Sequence, residues 1–486
     1  MAEIVYIKED LVGVKTASGK KVVLAFGDPV EVLGFDGKNT TVRVHDRGPR
    51  TFTGTVRGKL PTQRDAVLQF SMVDVQQGDG MVIMTPKGRK LFIDGGDNKL
   101  FARYCAGRFP NSSAEKPLEV DAMIVTHGDA DHFAGLTEIF KSEAEAKDPK
   151  RQRKALFIHP KRIYHNGLVK GPSKLKPEKI FGTTVPTAEG RAVTALVSDL
   201  LAVPSARLNA PFKSWIKAIK HWAQRGPIEF RRLEHGDRTA FGFLADEGIS
   251  VDVHGPITIR KKVGTKMKKA LPLLREPEKS AEIHLGNGPE PTRPFSASHT
   301  INGHSVTFRL HYGNVRFYLT GDLNQEAMAA LRTKIAAPDF EAEIIKAPHH
   351  GSADFDLRAL KAMKPIVSLI SSGDESSRTE HIHPRASLMG ALGRVARGDT
   401  SLVFCTELAA FFALRGVSGE LAPSNEARAR PYFGFERTNF GIIQIRTDGA
   451  RVLVFTHSGK EGMKEAYRFT VDSNHHVRFA KDVVKR

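Results

Sequence analysis

A chain of 486 residues with 40% hydrophobic and 8% aromatic residues can bury full cores, which excludes global disorder and sets an expectation of two or three structural units. A formal net charge of +19 and a pI near 9.8 favour an anionic partner, nucleic acid being the commonest such polymer. The two cysteines, Cys105 and Cys405, exclude a disulfide framework, and the chain lacks both a signal-peptide pattern and a run of roughly 18 apolar residues, so a cytoplasmic protein with no membrane contact is expected.

Residues 1–60 read as short strands with turn punctuation. Ile4–Ile7, Lys21–Leu24, Val30–Leu33 and Thr41–Val44 alternate or run β-branched, separated by Ser18-Gly19, Gly27-Asp28 and Asp36-Gly37. From about residue 65 to 460 the pattern becomes apolar strands alternating with helices, as in a layered α/β architecture. The strand candidates include Ala122–Val125, Ser305–Leu310, Arg316–Leu319 and Ile366–Ile370, with a helix over Phe355–Met363. The stretch 141–230 reads as a basic insertion: Lys147 to Lys179 carries eleven Lys or Arg against two acids. Within it Trp215, Ile219 and Trp222 follow helical spacing among Lys213, Lys217, Lys220 and Arg225, a helix expected to pack its tryptophans inward rather than stack them on bases. Arg260 to Arg275 carries seven further cations and no acid. Residues 461–486 read as a strand or tail without functional signal.

The chemistry concentrates in Thr126-His127-Gly128-Asp129-Ala130-Asp131-His132. Two imidazoles and two carboxylates follow directly on an apolar run, so a strand end aims several ligands into one space, which suits divalent cations. Further motifs end other apolar runs: Gly78-Asp79, Asp94-Gly95-Gly96, Thr320-Gly321-Asp322, His349-His350-Gly351-Ser352 and His383-Pro384. In this order the segments resemble the metallo-β-lactamase-fold hydrolases. With Asp rather than His at position 129, they are most similar to the ComEC-type subgroup, the hydrolase domain of the DNA-uptake competence protein and its soluble relatives. Gly27 to Gly34 resembles the middle of a bacterial SH3-like barrel.

The resemblance implies an αββα sandwich behind a small all-β N-terminal module that docks a protein partner. It also implies two divalent metal ions, zinc or manganese. One would take His127 and Asp129, the other Asp131, His132 and His350, with Asp322 bridging. Three carboxylates against two divalent ions leave a formal charge of about +1 before any hydroxide is counted. Asp131, His349 and His383 are the residues expected to serve catalysis, the two histidines by protonating a leaving oxygen or stabilising the phosphorane. Asp94 is expected to orient a ligand, and Asp79 to form a turn or support the site. His299 and His304 lie where a further ligand can arise, and read equally as polar loop residues. The implied activity is phosphodiester hydrolysis, as a nuclease with DNA or RNA as substrate. The alternatives are a small phosphodiester, an ester or a lactone as substrate, or a metal-binding regulatory or scaffold component.

Overall fold

The computed structural model describes residues 3–45, 51–276, 294–373, 383–398, 400–407, 441–457 and 463–480. Seven antiparallel strands form an N-terminal sheet, in spatial order Lys21–Ala25, Leu11–Thr16, Thr51–Arg57, Asn39–His45, Pro29–Phe35, Ile4–Ile7 and Thr62–Gln63. Alternation sets its inner face: Val42 and Val44 point inward while Arg43 points out. Ile7, Val12, Val14, Val30 and Val56 complete a core of its own. Gly54 is obligatory at one crossing, because a Cβ there would lie 2.5 Å from the Val14 side chain. Ala25, Phe26 and Val67 pack against Leu453, Phe455 and Ala466, which seats this sheet on the main body.

Among the described residues the main body holds a sheet of ten strands and a sheet of six. The ten run, in space, Glu229–Arg232, Arg162–His165, Ala122–Ile124, Lys90–Asp94, Gly80–Met84, Leu68–Met72, Ile442–Thr447, Arg451–His457, Met463–Val471 and Val477–Phe479. The six are Ile249–Gly255, Thr307–Tyr312, Val315–Leu319, Ile344–Lys346, Val367–Ile370 and Leu402–Cys405. The two sheets share one core, in which Phe70 of the first stacks on Phe317 of the second with ring centroids 5.7 Å apart.

Period-two alternation explains why both faces of a central strand are apolar. Leu91 and Ile93 enter the core between the sheets, while Phe92 faces a layer formed by the helices Leu100–Arg108, Ala130–Ser142 and Ala210–Trp222. The other outer face is covered by Gln325–Arg332, Leu357–Met363 and Ala386–Val395 through Met328, Leu360 and Leu392. The order of layers is therefore helix, sheet, sheet, helix, an α/β architecture.

The segment 141–230 contributes two strands to the larger sheet as well as a covering helix. That helix, Ala210–Trp222, starts where Asn209 Oδ1 accepts the Phe212 N–H at 3.0 Å. It buries Trp215, Ile219 and Trp222 completely and leaves Lys213, Lys217 and Lys220 exposed. A four-stranded sheet, Thr184–Thr187, Gly190–Val193, Lys266–Pro272 and Ile259–Val263, lies beside the main body. Met463–Val471 and Val477–Phe479 pair at the edge of the larger sheet, and residues 481–486 lie outside the described part. Among the described residues no helix is long and apolar enough to cross a membrane.

Candidate metal centre

The site forms where the strands of the two sheets end side by side. Strand Ala122–Ile124 runs out at Thr126-His127, and the chain turns at once into helix Ala130–Ser142. The turn is tight enough to bring the His127 and His132 rings to a centroid separation of 3.9 Å. Gly78 permits the neighbouring turn: its φ is +92°, and a Cβ there would stand 1.7 Å from the Asp131 carbonyl. From the second sheet, Asp322 follows strand Val315–Leu319, and His350 follows Ile344–Lys346. His349 and His350 both have positive φ, 46° and 51°, a conformation that costs non-glycine residues of order 1–3 kcal/mol each.

His132 and His350 each have a carboxylate on the Nδ1 side, hydrogen-bonded to the first ring and only close to the second. His132 Nδ1–H donates to Asp94 Oδ2 at 2.8 Å, and the same carboxylate accepts from Thr126 N at 2.8 Å and Thr126 Oγ1 at 2.6 Å. His350 Nδ1 faces Asp79 Oδ1 at 3.3 Å. With the Nδ1 side occupied by a carboxylate, each imidazole presents Nε2 to the centre. Both Nε2 atoms approach Asp322 Oδ2, at 3.3 Å from His132 and 3.0 Å from His350. Asp131 Oδ2 lies 3.9 and 3.7 Å from the same two atoms.

These contacts are close yet lack hydrogen-bond geometry, so among the described residues the buried Nε2 atoms of His132 and His350 are without a hydrogen-bond partner. A divalent ion bonded by two imidazoles and by Asp131 and Asp322 would satisfy both. His127, His132 and Asp322 form one set of ligand atoms within 4.8 Å of one another, and Asp131, His132 and His350 form another. By this test the donor set fits a metal ion.

Beneath the centre lies Lys346, fully buried. Its Nζ is 2.6 Å from Asp79 Oδ2 and 3.2 Å from Asp322 Oδ1, and it donates to the Gly321 carbonyl at 2.7 Å. Sequence reasoning missed this residue, whose one signal is a lone cation inside the apolar run Ile344-Ile345-Lys346-Ala347.

Burial pushes the Asp322 carboxyl up, but His350, His132 and Lys346 outweigh it and hold it well below the usual carboxylate range. Burial lowers the His350 imidazole, yet Asp322 and Asp79 raise it to about 9. His132 is raised likewise, by Asp322, Asp94 and Asp131 against burial. His127 goes the other way: burial and the charge of His132 keep it neutral.

The remaining expected residues fall into three places. Asp129 sits at the N-cap position of its helix, but its side chain caps nothing and pairs with Lys170. His349 and His383 flank the centre with ring centroids 6.0 Å apart, while the His349 and His350 rings diverge to 6.1 Å. His299 faces Glu326 at 3.0 Å and Asp354 at 3.6 Å, and His304 Nε2 meets the Pro272 carbonyl at 2.7 Å. Neither belongs to a ligand set among the described residues. Sequence reasoning also missed Asn302. With its amide nitrogen turned to satisfy its neighbours, it donates to His127 Nε2 at 3.2 Å and Asp129 Oδ2 at 3.1 Å.

No family model matches the chain, and no curated protein does. Among solved structures it is similar to Igni18, described as a novel metallo hydrolase from the hyperthermophilic archaeon Ignicoccus hospitalis KIN4/I. That likeness has 11% identity, covers 69% of this chain and 94% of that one, and has a TM-score of 0.29, too slight to carry an argument.

Proposed function

We propose that the protein is a metal-dependent hydrolase of the metallo-β-lactamase fold and ComEC type, cleaving phosphodiesters of nucleic acid. The observation that carries this is the paired arrangement of His132 and His350: each Nδ1 is backed by a carboxylate, and both orphaned Nε2 atoms converge on Asp322. His132, His350, Asp322 and Asp131 would hold the ion. When bound, it supplies Lewis acidity and a water whose pKa is lowered toward neutrality.

The chain's own groups do the rest. Asp94 and Asp79 keep the two imidazoles aimed, and Lys346 neutralises the carboxylates behind them. Burial lowers the His349 imidazole below its ordinary range, and its place beside His383 suits hydrogen bonding to the phosphorane oxygens.

A polyanionic substrate is supported by the basic hairpin Ile259–Val263 and Lys266–Pro272, where Arg260, Lys262, Lys266 and Lys268 are exposed. The hairpin is tied to the centre. The Pro272 carbonyl accepts from His304, and Leu274 N donates to Thr300 in the helix Ala297–Gly303 that carries Asn302.

The test is a panel of DNA, RNA and small phosphodiesters with Mn or Zn added to metal-stripped protein. Hydrolysis of polynucleotide is expected, lost in Asp131→Ala. Binding should weaken steeply with salt, and each hairpin lysine changed to alanine should reduce the log–log salt slope by roughly one. Cleavage of small esters alone, with a flat salt response, would remove nucleic acid as the substrate.

A further inference from the structure

We infer that the centre takes a single divalent ion, because the ammonium of Lys170 fills the place of the second. The inference rests on the metal-dependent reading above and departs from the two-ion expectation on the sequence.

The two halves of the ligand cluster differ in what their ligand atoms already hold. In the half built on His127 and Asp129, each ligand atom faces a protein donor, the two hydrogens of the Asn302 amide being shared among His127 Nε2, Asp129 Oδ2 and the Ser298 carbonyl. Asp129 Oδ1 is paired with Lys170, and Asp129 Oδ2 accepts from Asn302 at 3.1 Å. His127 Nε2 accepts from the same amide at 3.2 Å, and His127 Nδ1 faces Thr126 Oγ1 at 3.2 Å and Ser305 Oγ at 3.3 Å. In the other half, the Nε2 atoms of His132 and His350 have no hydrogen-bond partner among the described residues.

The two candidate sets also compete. Both the set containing His127 and the set containing Asp131 use His132. Its Nδ1 is committed to Asp94, so its one remaining lone pair serves one ion, and a second ion would have to be held by His127, Asp129 and Asp322, the place that Lys170 closes.

Lys170 is fixed in this role by the fold. Leu168 and Val169 are buried on one side of it. Its carbonyl accepts the Asn209 N–H at 3.0 Å, and Gly171 N donates to the Ile180 carbonyl at 2.8 Å. Its side chain is about as enclosed as that of Asp129, at 15% and 20% exposure. Lys170 offsets Asp129 and Lys346 offsets Asp79, which leaves Asp131 and Asp322, with Asp94 behind His132, as the carboxylates that face the ion.

The experiment is elemental analysis of the full chain after dialysis against Mn or Zn, with calorimetric titration of metal-stripped protein. Circular dichroism checks the fold of each variant. Wild type and Lys170→Arg are expected to bind one equivalent. Lys170→Met, which keeps the length and removes the charge, is expected to bind two. Asp129→Asn serves as a second variant and is expected to keep one equivalent, since Asp129 is not a ligand to the single ion. Two equivalents in wild type, one equivalent in Lys170→Met, or metal loss in Asp129→Asn would each overturn the inference while leaving a metal-dependent hydrolase intact. No bound metal in any form would overturn both readings.

Discussion

The strand Ile344–Lys346 carries a buried charge at each end, and the two ends behave differently. Glu343, just before it, is fully buried, with both oxygens engaged. Oε2 accepts from Arg316 N at 2.8 Å and Nε at 3.1 Å; Oε1 accepts from Arg316 Nη2 at 2.6 Å and Arg397 Nη1 at 3.0 Å. Lys346, at the other end, joins Asp79 and Asp322, but the imidazoles beyond them keep unpartnered nitrogens. Burial alone does not separate a structural charge cluster from a working one. Saturation of the ligand atoms does: protein donors fill both Glu343 oxygens, although Arg397 Nη2 has no partner among the described residues, whereas the imidazole nitrogens of the second cluster stay open.

The largest expected effect falls at the open end. Asp322→Asn removes the carboxylate on which both Nε2 atoms converge. Activity should fall by roughly 10²–10³-fold or more, the range for losing one charge-stabilising group in a water-excluded site. Metal content should fall with it, while circular dichroism stays unchanged. A variant that keeps both its metal and its rate would show that Asp322 is structural, like Glu343.

At the closed end the expectation reverses. Glu343→Gln leaves Arg316 and Arg397 buried without their counter-charge, and breaking a buried pair from one side costs about 3–5 kcal/mol. Urea unfolding should register the loss, with metal per folded molecule unchanged. A smaller effect is expected from Asp94→Asn, which keeps the shape but weakens the hold on His132 Nδ1. Orienting groups of this kind are worth about 10–100-fold in metal affinity, to be read by competition with a chelator.

The same contrast explains which residues were legible in the sequence. His127, Asp131 and His132 stand where an apolar run stops, and Asp322 and His350 end two further runs, so strand ends announced them. The helix expected over Phe355–Met363 is found as Leu357–Met363, capped by Asp356, and Val315–Leu319 and Val367–Ile370 lie within a residue of their expected places. Lys346 was hidden in an apolar run, and Lys170 among eleven cations with no periodicity to single it out. Asn302 matters through the docking of one short helix, a tertiary event without local signature. Strand Arg162–His165 was missed for a related reason: it pairs in parallel, through a crossover, with partners far away in sequence. Leu11–Thr16 and Thr51–Arg57 carry glycines that interrupt their alternation.

The smallest effect expected is on acid stability, and it separates the two ends in metal-stripped protein. Burial pushes the Glu343 carboxyl up, but Arg316 and Arg397 prevail and hold it below its ordinary range. A carboxyl depressed in the folded state binds fewer protons there than in the unfolded chain. Its contribution is present in full above roughly pH 4.3, the ordinary glutamate value, and is lost as pH falls through the folded value. Urea midpoints of wild type and Glu343→Gln should therefore differ most near neutrality and converge on acidification. A gap that stays constant with pH would mean that the substituted amide fails by shape rather than by charge, and Glu343 would then no longer stand as the saturated counterpart of the open centre.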